Sequence, residues 1–387
     1  MKILHLGKYY PPFHGGMESY LKDLAEAQVR QGHEVIVMVH NHQWGWLKSK
    51  TEYSEMNGVK VIRLACSRPV LHTPLMLGLN QQIRRILKDE SIDVLHLHTP
   101  NPSLLTLAWH RRARQVPWVI SWHSDMVTEH SGVMMKCLYR ILKPLENRLI
   151  RQASLLLVSS DNYANHSPQL KINHEKVKVI PLGINVASLK NQTKCSALVD
   201  SYWPADKLRI FHLGRLTRYK NQQLLIKAMR HYPSGHLLLA GSGALADVLK
   251  NLVSANGLEQ RVTLTGGVSQ DELDQLFAQC DVFCLASHDR AESFGVVLLE
   301  AMYHNKIILV ADTPGSGMCW LANQYNKGFT FKSNDEDDLL AKLEGIHRDL
   351  SAIQALPPHF DYHIDDIASR IEDNYHSITL TGEQHEN

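Results

Sequence analysis

The sequence predicts an α/β protein built as two domains, each a parallel sheet wrapped by helices on both faces. Three observations carry this. Short apolar, β-branched runs alternate with amphipathic stretches along most of the chain, which is the spacing of a parallel sheet with crossover helices. At 387 residues the chain exceeds one ordinary core and suits two. The alternation also breaks once: Pro181-Leu-Gly-Ile-Asn185 ends a strand series with turn chemistry, residues 186–206 are polar and irregular, and a new strand opens at Leu208. The expected domains are therefore 1–185 and 186–360, with a terminal helix and frayed tail over 361–387.

Taken in order, residues 2–7 read as the first strand, followed by a turn-rich loop and an amphipathic helix to about Gln31. Strands are expected over 32–39, 59–64, 94–97, 118–121, 155–159 and 177–180, with helical patterns near 75–89 and 103–115. Residues 131–152 form a longer helix rich in Lys136, Arg140, Lys143, Arg148 and Arg151 among apolar residues, which Pro144 should kink or divide. Two readings of it stay open, a helix packed on its own sheet and a basic amphipathic surface for anionic lipid. The second series has strands at 208–214, 236–240, 262–264, 280–286 and 307–310, and a helix candidate over 364–375.

Composition narrows the class. The apolar and charged fractions are those of a soluble globular protein. No apolar run reaches the length of a membrane span, and the first residues lack the pattern of a cleaved leader, so a cytoplasmic location is expected. The six cysteines form no C-x2-C pair and read as thiols in a reducing compartment. None of the 23 histidines sits in an H-E-x-x-H spacing; most read as ordinary surface or strand residues. The formal charge of +2 divides unevenly, with +9 on residues 1–185 and −7 on the remainder. A basic first half fits an anionic partner such as a phospholipid surface or a lipid-linked pyrophosphate, and a scatter of solvated charges would give the same count. No nucleic-acid partner is expected.

The chemistry concentrates at the ends of the expected strands. Glu292-Ser-Phe-Gly-Val-Val-Leu-Leu-Glu300 follows a strand and enters a helix, so Phe294, Gly295 and Val296 lie where free backbone N–H groups and the positive dipole end suit a phosphate. Glu292 before the helix and Glu300 within it could bracket a diphosphate and accept hydrogen bonds from hydroxyls, as a nucleotide sugar would need. A capping Glu292 and a solvated Glu300 would also fit the spacing. Arg215 and Lys220, five residues apart after a strand, could clamp a diphosphate and offset charge on a departing nucleotide, or form a solvated basic turn. Gly15-Gly16 lies well after the first strand without the G-x-G-x-x-G spacing of a dinucleotide site; a tight turn and a helix start with Glu18 on the dipole would satisfy it. His123 follows a parallel strand at its carboxyl end, where open α/β sheets place their sites, with Asp125 nearby. Asp335-Glu-Asp-Asp338 reads as acid at a helix N-terminus rather than as a metal site.

E-x7-E with internal S-F-G, G-R-L-x-x-x-K over 214–220, the histidine at 123 and P-P-x-x-G-G-x-E over 11–18 together resemble the retaining glycosyltransferases of family 4, of the GT-B fold. The resemblance implies two Rossmann-like domains facing across a cleft, the first for an acceptor and the second for a nucleotide-sugar donor, with the terminal helix crossing back to the first. It implies that Arg215 and Lys220 stabilise the leaving diphosphate, Glu292 orients sugar hydroxyls, Glu300 binds ribose and His123 contacts the sugar. Gly15 and Gly16 would approach the phosphate, Gly267 and Val268 the base, and Ser293, Phe294, Gly295 and Val296 the donor. No cofactor and no metal are expected, since the two cations would neutralise the diphosphate. The implied activity is retaining hexosyl transfer from a nucleotide sugar to a glycan or lipid-linked acceptor in polysaccharide or lipopolysaccharide assembly. The loop over 314–320 resembles mannosyltransferases and favours GDP-mannose over UDP-sugars. An anionic membrane surface is a further expected partner, with the protein peripheral on the inner face of the cytoplasmic membrane. A non-catalytic nucleotide-sugar-binding scaffold and a GT-B UDP-sugar epimerase are the alternatives.

Overall fold

The computed structural model describes residues 1–13, 15–41, 50–67, 74–126, 132–189, 202–204 and 206–383. Residues 44–49, an aromatic and basic stretch in the sequence, Cys195 and most of the polar stretch over 186–206 lie outside these. The chain divides into two compact units, Met1–Ile184 with Tyr362–Asn387, and Asn185–Asp361.

The first unit is an eight-stranded sheet of β1 (Lys2–Leu6), β2 (Glu34–His40), β3 (Glu52–Met56), β4 (Val59–Leu64), β5 (Val94–Thr99), β6 (Trp118–Trp122), β7 (Leu155–Val158) and β8 (Val177–Val179), in the order β3-β4-β2-β1-β5-β6-β7-β8. All neighbours run parallel except β3, which pairs antiparallel with β4 at the edge. The central strands β5 and β6 are buried along their whole length and β1 along all but its first residue, as a sheet covered on both faces requires. Along β5 the faces differ: Leu95 and Leu97 enter the leucine-rich core, whereas His96 and His98 point the other way. Tyr375 of the terminal helix Ile364–Glu383 meets His96 on that second face, and the same helix packs on Gly16–Arg30 through an Arg30–Asp365 ion pair. Its tail carries one Arg against six acidic residues, so the unit it joins carries +4 and the other unit −2. The asymmetry read along the sequence is therefore smaller in the folded units.

Two local expectations change. The helical pattern over 103–115 is realised as two 3-10 stretches, Pro102–Trp109 and Ala113–Gln115. The helix Val133–Gln152 runs through Pro144 undivided. Its first half leaves Val133, Met134 and Ile141 exposed, and its buried residues are Glu146, Leu149 and Ile150 near its end.

The second unit is a six-stranded parallel sheet of β9 (Leu208–Leu213), β10 (Gly235–Ala240), β11 (Val262–Gly266), β12 (Val282–Leu285), β13 (Ile307–Asp312) and β14 (Gly328–Lys332), ordered β11-β10-β9-β12-β13-β14. Apolar residues of these strands and their helices form one core. Among the described residues no helix is long and apolar enough to cross a membrane.

Candidate functional site

The predicted residues of the second unit sit at the carboxyl edge of its sheet, on the segments after β9, β11 and β12, with Glu300 in the helix that follows β12. The loops are pulled together by backbone. Gly241, at φ +128, follows β10 so closely on Gly214 that a Cβ there would lie 2.1 Å from the Gly214 oxygen. Gly241 N also donates to Gly266 O at 2.7 Å, which brings the start of Gly267-Val268 beside the loop after β9. Gln222, at the start of the helix Gln222–Ala228, donates to the Arg215 carbonyl at 3.0 Å and lies 3.2 Å from His212 Nε2. His212 Nδ1 bonds the Cys284 carbonyl at 2.9 Å, and burial aided by the Lys220 cation lowers its pKa to about 4, so it is a neutral strut between β9 and β12.

Lys220 and Glu292 form an ion pair, with side chains only 8% and 14% exposed. Burial works against the Lys220 ammonium, but the Glu292 carboxylate outweighs it and the pKa of Lys220 is raised. Glu292 is thus no helix cap, and Lys220 no solvated turn residue. Arg215 is exposed on the same loop. The Glu292 segment is clamped from the loop after β13: Ser316 Oγ donates to Glu292 O at 2.5 Å, Gly317 N to Ser293 O at 2.7 Å, and Thr313 Oγ1 to Ser287 O at 2.7 Å. Gly295 adopts φ +78, a left-handed turn that favours glycine, and Phe294 is buried beside Trp320. The helix is shorter than its sequence suggests. It spans Val297–Tyr303 with Val296 as its N-cap, so Ser293, Phe294 and Gly295 precede it and Glu300 lies in its first turn.

In the first unit Gly15 is the N-cap of the helix Gly16–Arg30, and Glu18 lies buried in its first turn. His123 is buried just after β6, its backbone N–H donating to Thr99 O at 3.0 Å, its ring stacked on His98 and edge-on to Tyr20. Asp125 is spent on structure, accepting from Trp122 Nε1 at 2.9 Å and Ser167 Oγ at 2.7 Å. Gly15, Gly16 and His123 lie at the carboxyl ends of β1 and β6, strands flanking β5.

Sequence reasoning missed what lies behind His123. His5, His96 and His98 are fully or almost fully buried in one cluster with Gln28, Ser121 and Tyr375. The H-x-H of β5, a polar face inside a buried strand, was the available signal. Ligating nitrogens of His5, His96 and His98 lie within 4.8 Å of one another, the spacing of a metal group. Each of their ring nitrogens already has a protein partner, however, so the donors are turned toward neighbours rather than a shared centre. Asp335 caps the helix Glu336–Arg348 by accepting from Asp338 N, as its sequence predicts.

Residues 15–183 match the family described as "Glycosyl transferase 4-like domain", and residues 199–351 match "Glycosyl transferases group 1". Sucrose-phosphate synthase from Thermosynechococcus elongatus has the same fold, with a TM-score of 0.77 at 18% identity over 98% of this chain and 99% of that one. The chain is a glycosyltransferase of the GT-B fold. Among its relatives are the O-antigen chain mannosyltransferase C of Escherichia coli, 26% identical over 89% of this chain and 88% of that protein. The phosphatidyl-myo-inositol mannosyltransferase of Mycolicibacterium smegmatis is 25% identical over 87% and 82% respectively.

Proposed function

We propose that the chain is a retaining, metal-independent hexosyltransferase of family 4. It would move a hexose, with GDP-mannose favoured over UDP-sugars, to a glycan or lipid-linked acceptor in cell-surface polysaccharide or lipopolysaccharide assembly. The observation that carries this is the buried Lys220–Glu292 ion pair beside exposed Arg215 at the carboxyl edge of the second sheet. A diphosphate entering there draws on both cations, and Lys220, released from Glu292, meets the charge that develops on the leaving group. Glu292 is then free to accept from sugar hydroxyls, and Glu300 from the ribose. In the retaining reaction the departing phosphate oxygen takes the proton of the attacking acceptor hydroxyl as the new glycosidic bond forms on the face it leaves. Gly267, Val268 and the Ser293–Val296 backbone would line the rest of the donor site. The mannosyltransferases among the relatives support the sugar, and their names support a lipid or polysaccharide acceptor.

The first unit would hold the acceptor, while His123 would contact the transferred sugar and Gly15 and Gly16 would approach the donor phosphate. Exposed Val133, Met134 and Ile141 alternate with Lys136, Arg140 and Lys143 on one helix, which supports contact with an anionic membrane at its cytoplasmic face. The test is a thermal-shift panel of nucleotides and nucleotide sugars on the wild type and Glu300→Ala. A ligand at about a hundred times its Kd adds roughly 2.7 kcal/mol. Stabilisation by GDP-mannose, lost in the variant, is the expected outcome. A response to UDP-sugars alone would discard mannose, and no response at all would leave a scaffold as the better reading.

A further inference from the structure

The buried histidines form two hydrogen-bonded chains that meet on one amide. From Gln28 Oε1 the first runs to His5 Nε2 at 2.7 Å, from His5 Nδ1 to His98 Nε2 at 3.0 Å, and from His98 Nδ1 to His123 Nε2 at 3.0 Å. From Gln28 Nε2 the second runs to the Tyr375 hydroxyl at 3.3 Å, then to His96 Nδ1 at 2.5 Å, and from His96 Nε2 to Ser121 Oγ at 2.7 Å. Burial lowers His5 and His123 to about 4 and His96 and His98 well below their ordinary value, so all four rings are neutral near pH 7.

A neutral imidazole has one N–H and one bare nitrogen, so a chain of them can run in only two directions. The end group chooses. An amide oxygen only accepts, and its NH2 only donates. With Oε1 against His5, His5 donates from Nε2 and keeps Nδ1 bare; His98 then donates from Nε2 to His5, and His123 from Nε2 to His98. The second chain agrees. The Gln28 N–H donates to the Tyr375 oxygen, Tyr375 donates its hydroxyl proton to His96 Nδ1, and His96 donates from Nε2 to Ser121.

We propose that Gln28, held by Tyr375, is a positioning residue that fixes His123 in its Nε2–H tautomer and leaves Nδ1 as a bare acceptor for a ligand hydroxyl. Of the eight ring nitrogens, Nδ1 of His123 is the one that no described residue bonds. The opposite amide orientation would reverse both chains and offer an N–H at the same point, which suits a phosphate or carboxylate oxygen instead. One buried amide therefore selects the ligand chemistry at the end of β6. It also gives the terminal helix a task in the site, since it delivers Tyr375. Only the identity of the hydroxyl, on a sugar or its acceptor, rests on the glycosyltransferase reading.

The decisive measurement is long-range proton–nitrogen NMR of 15N-labelled imidazoles near pH 7.5, with the His123 signals assigned by their loss in His123→Gln. A protonated Nε2 and a bare Nδ1 are expected in the wild type; a protonated Nδ1 there overturns the proposal whether or not any variant folds. Gln28→Met removes the end group of both chains, and at least a tenfold rise in the His123 Nδ1–H to Nε2–H ratio is expected. An unchanged ratio in the folded variant removes Gln28 from the role. With a working donor and acceptor, Gln28→Met is expected to lower kcat about tenfold while leaving the nucleotide thermal shift intact, because the proposed nucleotide site belongs to the other unit. Failure of the wild type to turn over any nucleotide sugar would count against the transferase reading, while the spectra still decide the tautomer.

Discussion

At the scale of single residues, Arg215 and Lys220 carry the same charge on one loop but have different costs of removal. Lys220 is buried against Glu292, so Lys220→Ala leaves a mostly buried carboxylate without its cation, and a stability loss of about 3 kcal/mol is expected. Arg215 is exposed, so Arg215→Ala should stay within about 0.5 kcal/mol of wild type. In the proposed mechanism both meet charge that develops as the diphosphate leaves, so each variant is expected to lose roughly 10²-fold in kcat at saturating donor. Denaturant unfolding and steady-state rates on the two variants separate the effects. A wild-type rate in Arg215→Ala would remove that residue from the chemistry, and a stable but inactive Lys220→Ala would show that the ion pair adds little to the fold.

At the scale of elements, legibility follows burial. Parallel strands such as β5, β9 and β13 are largely buried between both faces and read as short runs rich in apolar residues, so their places are plain in the sequence. Edge strand β3, Glu-Tyr-Ser-Glu-Met, is polar and mostly exposed, and nothing in its composition separates it from a loop until β4 supplies its hydrogen bonds. Arg215, Lys220, Glu292 and His123 were legible because each follows such a strand. Gln28, Tyr375 and the β5 histidines were not, because they meet only through contacts from 23 up to 347 positions apart in sequence. The helix Val133–Gln152 left two readings open, and the exposure of Val133, Met134 and Ile141 favours a surface over core packing. Replacing Met134 and Ile141 together by Ser is expected to weaken binding to phosphatidylglycerol vesicles roughly tenfold or more, from the lost apolar burial alone. Rising salt should weaken the wild type as well. Equal sedimentation of wild type and variant with these vesicles would discard the membrane contact.

For the whole molecule, the buried histidines make acid the stress to which the first unit responds. His5 and His123 titrate near 4 when folded against 6.5 when exposed, and His96 and His98 lie lower still, in each case chiefly through burial. Between these values the unfolded chain binds protons that the folded unit refuses, so stability must fall as pH drops from about 6.5 toward 4. For His5 alone the full loss is on the order of 3 kcal/mol. Glu146 opposes this, because burial raises its carboxyl and the folded state then gains protons over part of the same window. One carboxyl against four imidazoles leaves the sign unchanged. Carboxyls held below 4.5 by their partners, such as Glu34 with Lys2, act in the same direction from about 4.5 downward. Native-state amide exchange in β1, β5 and β6 reads this unit separately from the other. Corrected for intrinsic exchange rates, the opening free energy of those strands is expected to drop by several kcal/mol between pH 7 and pH 4.5, with little change from pH 7 to pH 8.5. A flat profile down to pH 4.5 would mean that the four imidazoles reach solvent or accept protons in place, and the neutral hydrogen-bonded chain behind His123 could not then hold.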